Sequence, residues 1–319
     1  MHRRSAHVAS GFVSLTLGIE VAGDGIGTGP RAHGIAALAR RLEAAGVHYW
    51  VVGADRGEQT GVAPSLDPSL VATVAARHTA ELGLVVAAST HRDHPYNLAR
   101  RLVSVDHAAR GRVGWFALDV DRRIGLNAAA DTWTGATLEP AHTTESIDAV
   151  RILWRTWPYA SLRGDRAAGV FADITQIRRA DTGGAYRITG PLNVPGSVQG
   201  DLPVWRHPGP GARGADLVVV EDGDPVPSGA VVRLREADDA ALTRVARTPG
   251  AVGALLRVPP AAVPAVLDEV LPAARRRGAV AAAGRGTLRR RLGLPAPAEP
   301  DLSTHRRAYD SSPTVAARL

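Results

Sequence analysis

Residues 84 to 115 constrain the fold more than any other stretch of the chain. Leu84 to Ala88 is an unbroken apolar run that stops at Ser89-Thr90. Tyr96, Leu98, Ala99, Leu102 and Val105 then recur at helical spacing. Arg110-Gly111-Arg112 breaks that pattern, and a second apolar run starts at Val113. Strand, helix, strand is the crossover that parallel pairing requires. The polar residues at the end of the first strand lie where parallel α/β proteins build their sites.

The same alternation runs along the chain. Apolar, β-rich runs occupy 13–21, 49–54, 83–90, 112–119, 202–206, 215–220, 230–235 and 251–257. Helical patterns occupy 31–45, 68–81, 95–109, 143–157, 237–247 and 260–277. Eight strand runs in an α/β pattern suit a (β/α)8 TIM barrel. The gaps after 202–206 and 215–220 are too short for a helix, so two outer helices are expected to be missing. That part of the sheet is expected to be distorted, locally antiparallel or open. Residues 158–201 form a long irregular insertion, of the kind that serves as a lid. The expected organisation is one barrel domain over 1–300, carrying that insertion, and a basic C-terminal tail over 301–319. Aromatics make up 4% of the chain, so the core must be built from Ala, Val and Leu.

Several function classes drop out. With no Cys there is neither a disulfide framework nor a thiolate metal site. All 38 basic residues are Arg, so Schiff-base lysine chemistry and a P-loop lysine are excluded. No apolar run is long enough to cross a bilayer, and nothing behind Met1 to Ser5 resembles a signal peptide. A cytoplasmic protein with no membrane association is therefore expected. The net charge of +7 resides in residues 270 to 319, which hold ten Arg and three acids. Without aromatic interleaving this reads as a solvated helix and tail, and no nucleic-acid partner is expected. Gly23 to Pro30 follows a strand and precedes a helix like a dinucleotide-binding turn, but its glycines alternate where Gly-x-Gly-x-x-Gly is needed. A loop at a barrel rim is the better reading.

The wording of the central segment is specific. Thr90-x-x-x-x-Pro95-Tyr96-x-Leu98-Ala99-Arg100-Arg101, then Ser104-x-Asp106-His107 and Gly111-Arg112-x-Gly114-Trp115, resembles the flavin-dependent monooxygenases of the bacterial luciferase-like superfamily. The likeness is to the branch with nitrilotriacetate, dibenzothiophene-sulfone and pristinamycin monooxygenases. Gly164 to Asp173 and Gly190 to Gly200 resemble that branch's insertion. Leu271-Pro272 and Gly286 to Pro295 resemble its C-terminal helix and tail. The resemblance thus runs through residues 30 to 300 in order.

It implies oxygenation of a small organic substrate by O2 and reduced FMN, with a separate flavin reductase supplying the cofactor. It places Asp55, Ser89, Thr90 and Trp115 near the flavin ring, and Arg206, Gly209, Gly211 and Arg213 near its phosphate. Read alone, Asp55 could be a turn cap, Ser89 and Thr90 an ST-turn, and the two arginines surface groups on a short loop. His91 and His94 lack a third metal ligand, so no metal is expected. His94-Pro95 starts a helix, and His94 is the best candidate acid or base.

Three departures matter. Phe116 stands where the family has Asn, Glu139-Pro140 where it has Arg-Tyr, and His207 to Gly214 where it has a phosphate-binding turn and helix. A degenerate barrel without flavin therefore stays open as an alternative, serving as a structural partner or doing flavin-independent chemistry. The missing helices are expected to expose apolar surface that a homodimer or a related subunit would cover.

Overall fold

The computed structural model describes residues 12–22, 31–57, 66–122, 130–211, 213–297, 302 and 304–309. The turn Gly23 to Pro30 lies outside them. In chain order the elements are β1 (Thr16–Val21), α1 (Arg31–Ala44), β2 (Tyr49–Val52), α2 (Pro68–His78), β3 (Gly83–Ala88), α3 (Pro95–Ala108), β4 (Val113–Ala117) and α4 (Pro140–Thr156). There follow β5 (Leu162–Asp165), β6 (Val170–Ala172), β7 (Val204–Arg206), β8 (Leu217–Glu221), β9 (Ala230–Leu234), α5 (Asp239–Ala246) and β10 (Ala251–Val258). A helix with a π-turn at Val266–Val270 joins α6 (Val263–Ala265) to α7 (Leu271–Arg276), and α8 (Leu288–Arg291) comes last. Eight strands close a barrel in the order β1-β2-β3-β4-β7-β8-β9-β10, every pairing parallel.

Alternation along the strands builds two cores. Leu17, Ile19, Trp50, Leu84 and Val86 face outward and pack against the helices. Tyr49, Val85, Phe116, Trp205, Val219 and Leu255 fill the lumen. Scarce aromatics are spent there: the Tyr49 and Trp205 rings meet at 5.2 Å. Glycine makes the room. A Cβ on Gly18 would lie 2.2 Å from the Tyr49 ring, and one on Gly114 would lie 2.4 Å from Trp205. Gly18→Ala and Gly114→Ala should each lose about 1–3 kcal/mol or more by overpacking. Urea denaturation checks this, and wild-type midpoints for both variants would show that the lumen has slack.

The expectation of a distorted, antiparallel or open second half is corrected. The sheet stays parallel and closed although residues 207–216 and 222–229 hold no helix among those described. A helical return rises only about 1.5 Å per residue, whereas ten extended residues reach roughly 33 Å. That is ample to run back along a five-residue strand. The loops also replace the helices as cover. Gly214 packs on Ile147 of α4, and Ala215, Val218 and Val226 join the outer core. The apolar patch expected beside β7 and β8 is therefore absent among the described residues. Exposed apolar side chains gather on the insertion instead, at Tyr159, Val170, Phe171 and Ile174.

The insertion carries the antiparallel hairpin β5–β6. The described end of the tail is not free in solvent as expected. Ala308 N–H donates to Ile177 O and Arg179 N–H to Arg306 O. Leu288 of α8 closes the lumen at the opposite end from the candidate site, where a Cβ on Gly83 would touch it at 2.7 Å.

Candidate functional site

All eight strands point the same way, so the loops that follow them converge on one mouth. Asp55 and Arg56 follow β2, Ser89 to His91 follow β3, Asp119 to Asp121 follow β4, and His207 follows β7. The inward register positions divide this mouth in two. Glu20 on β1, Arg257 on β10, Arg233 on β9 and Glu221 on β8 lie on four neighbouring strands. Arg233, fully buried, donates to Glu20 at 2.7 Å and to Glu221 at 3.1 Å, and Arg257 donates to Glu20 at 2.6 Å. This charged half opens onto a cleft of about 840 Å³ that also carries Arg235, Asp222, Glu236 and Asp238. The other half, β2-β3-β4-β7, presents Val51, Ala87, Phe116 and Leu118, with the Phe116 ring 5.0 Å from that of His207.

The residues singled out in the sequence do not all reach the mouth. Asp55 is buried in the 3-10 turn Ala54–Gly57, beside Arg56, which is paired to Asp121 at 2.9 Å. Ser89 Oγ accepts from His91 N–H at 3.1 Å and donates to Asp119 O. Thr90 turns the other way and bonds Ser146 of α4 at 2.7 Å. The expectation that Trp115 touches a flavin is corrected by strand alternation. Its ring lies on the outer face of β4, donates to Ala88 O at 3.0 Å and packs edge-on to Trp154.

His94 caps α3 through Nδ1, which accepts from Tyr96 N–H at 3.2 Å. Its ring stands edge-on to Trp133 and Tyr186, each 5.7 Å away, and burial lowers its pKa. Arg206 is buried and donates at 2.9 Å to Thr144 Oγ1, Arg213 O and Pro140 O, and at 3.3 Å to Asp119. It staples the β7–β8 loop to the start of α4. Gly209 and Gly211 lie against Pro140 and Ala141. Arg213 is exposed, and its charge acts on the exposed Asp148 of α4.

Two features escaped the sequence reading. His91 is 1% exposed, and neither ring nitrogen has a hydrogen-bond partner. Burial lowers its pKa, opposed by the nearby charges of Asp121 and Asp131, so at neutral pH the ring offers one donor and one acceptor. Beside it runs a buried chain of polar groups. Thr90 meets Ser146, Ser146 meets the Tyr186 hydroxyl at 3.2 Å, and Tyr186 and His142 both bond Asp131, His142 at 2.7 Å. Burial would raise the Asp131 carboxyl, but hydrogen bonds from Tyr186, the Trp133 N–H and His142 hold it below the usual range. A cluster drawn from four separate segments leaves no local spacing to find. The one available signal was the run of polar residues, Ser89 to His94, that ends the apolar strand.

The site admits one part of a flavin better than the other. A flat apolar wall of Val51, Ala87, Phe116 and Leu118 suits the face of a ring. The buried cation beside the β7–β8 loop does not stand ready for a phosphate, since Arg206 is committed to the chain's own oxygens.

A model of the family described as luciferase-like monooxygenase matches residues 13–209. Dibenzothiophene-sulfone monooxygenase of Rhodococcus erythropolis is 35% identical over 168 residues, which cover 51% of this chain and 36% of that protein. One of the subunits of pristinamycin IIA synthase from Streptomyces pristinaespiralis is 31% identical over 185 residues, covering 57% and 60%. The match thus spans between about a third and three fifths of these relatives. The structure of EDTA monooxygenase from Chelativorans superposes with a TM-score of 0.65 at 17% identity, covering 89% of this chain and 99% of that one. That likeness is one of fold.

Proposed function

The chain belongs to the luciferase-like monooxygenase family, and on that premise we propose that it oxygenates a small organic substrate with reduced FMN at the barrel mouth. Reduced flavin would supply the electrons that activate O2, and a separate reductase would supply the flavin. The chain's own part is to bind, orient and exclude water. Val51, Ala87, Phe116 and Leu118 form a dry wall for a ring. Ser89 and Asp55 border it, and the Glu20–Arg233–Arg257 ion cluster faces it with fixed charge.

His91 carries the reading. A buried polar group without a partner costs about 1–3 kcal/mol, and a binding site keeps such a group for its ligand. His94, with Nδ1 used as a helix cap, is left as a positioning residue for Tyr186 and the Asp131 cluster.

Contacts given up at Phe116, at Glu139-Pro140 and at the β7–β8 loop are worth about 0.5–1.5 kcal/mol each. Together they amount to roughly two decades in dissociation constant. The protein should therefore purify colourless and take up FMN only weakly. Absorbance after incubation with FMN, and titrations with oxidised and reduced FMN, check this. Tight stoichiometric flavin would mean that the site has been rebuilt elsewhere.

The commitment of Arg206 favours a second reading, a barrel that has lost flavin and acts as a partner to an active protein. It predicts no binding in either redox state. We further propose that the exposed hairpin side chains Val170 and Phe171 seat a second copy or a related chain. Sedimentation should then show a dimer that Phe171→Asp dissociates, and a wild-type monomer at high concentration would remove this proposal. No described helix is long and apolar enough to cross a membrane, and a cytoplasmic place, with its supply of reduced flavin, fits the oxygenase reading.

A further inference from the structure

We propose that a small cavity behind the end of β3 is a binding site for one water molecule, which joins three ion pairs into a single network. The cavity is lined by Val86 to Ser89 of β3 and its end, by Asp67 and Pro68 at the start of α2, and by Arg92, Asp93 and Arg101 on the way into and along α3. Arg56 and Asp121, from the loops after β2 and β4, complete it. Its volume is about 10 Å³. That is the room one water needs, and it is too little for an organic ligand.

Of the described residues that line it, three are Asp and three are Arg, and they pair. Arg92 meets Asp67 at 2.9 Å, Arg101 meets Asp93 at 2.6 Å, and Arg56 meets Asp121 at 2.9 Å. The pairs lie within electrostatic reach of one another, since the charges of both Arg101 and Arg92 act on Asp67. Arg101 supplies the observation that points to a ligand. Its Nη2 donates to Asp93, whereas its Nε is buried and has no partner in the chain. In folded proteins such a buried N–H is satisfied by protein or by ordered water.

The chemistry of the lining selects the occupant. Cavities that stay dry are lined by apolar groups, and this one is lined by charges. A cation has no lone pair to offer Arg101 Nε. An anion such as chloride would accept from Nε but would meet three carboxylates. Water can do both: its oxygen accepts from Nε and its hydrogens go to carboxylates. An ionised Asp has about four lone-pair sites, so Asp93 and Asp121 can each take such a hydrogen and keep their arginines. The water then ties α2, α3 and the buried Arg56–Asp121 pair together behind Ala87 and Ser89. It is part of the backing of the candidate site, whatever ligand the mouth takes.

A high-resolution crystal structure of the full chain, with a second crystal soaked in sodium bromide, tests this. One density peak should lie about 2.7–3.2 Å from Arg101 Nε and from at least one carboxylate oxygen of Asp67, Asp93 or Asp121. It should carry no anomalous signal after the soak. A cavity without a peak, or an Nε bonded directly to a protein oxygen, would overturn the inference. So would a bromide signal at the peak, which marks an anion site, or a peak about 2.0–2.6 Å from the carboxylates, the spacing of a bound hard cation.

Discussion

Glu20→Ala should cost the fold about 3–5 kcal/mol, the expected loss when one partner of a buried ion pair is removed. Glu20 is 2% exposed and accepts from both Nε and Nη2 of Arg233 and from Arg257. Arg233 has no exposure to fall back on, so without Glu20 its charge stays in the lumen, where Glu221, at 3.1 Å, is itself partly solvated. The attraction between such groups is largely offset by the cost of drying them, so the pair as a whole adds little net stability. Removing half of it is what hurts. Glu20→Leu combined with Arg233→Leu should therefore lose clearly less than Glu20→Ala alone. Urea denaturation of the three proteins decides it. A single variant within about 1 kcal/mol of wild type would show that water screens this half of the mouth, and the fixed-charge picture of the site would go.

The second large effect is a loss of stability in mild acid, centred on His48. This residue follows α1 at the end of the barrel opposite the mouth. It is 3% exposed, and its Nδ1 accepts from Leu17 N–H at 3.1 Å. Burial, then the charges of Arg291 and Arg275, lower its pKa from 6.5 to about 4. The unfolded chain therefore takes up a proton that the folded chain refuses. Stability is full above about pH 6.5 and falls as the pH drops toward 4, by on the order of 3 kcal/mol for a shift of this size. Asp106 works in the opposite sense, since burial raises its carboxyl and protonation in acid relieves it. Asp67 and Asp131 are held low and lose their stabilisation only at more acid pH. The clean readout is thus the difference between wild type and His48→Asn, whose side-chain oxygen can still accept from Leu17. Denaturation midpoints at pH 7 and pH 4.5 should converge for the variant and diverge for wild type. Equal acid sensitivity in both would remove His48 as the cause.

Much of the architecture could be read without coordinates, because strands and helices announce themselves through local periodicity. The helix expected over 95–109 is Pro95–Ala108, and the strand expected over 230–235 is Ala230–Leu234. The missing outer helices were legible for the same reason, as gaps too short to hold them. Their consequence was not. Closure depends on how far an extended loop reaches and on what it packs against, and Arg206 finds Thr144 and Pro140 some 60 residues away in sequence.

The site divides along the same line. That Asp55 and Ser89 follow parallel strands was evident from order alone, and order places both at one end. Whether a side chain faces the lumen or the helices depends on strand phase. A one-residue change of phase separates Trp115, which went outward, from Phe116, which went in. His91 and the Asp131–His142–Tyr186 cluster were beyond reach of any spacing argument, since the insertion supplies Tyr186 and α4 supplies His142. Local pattern and motif were enough to establish the elements, their direction and the family. Which polar groups are spent on one another, and which are kept, emerged only with the folded chain, because burial and partnership belong to contacts between distant segments.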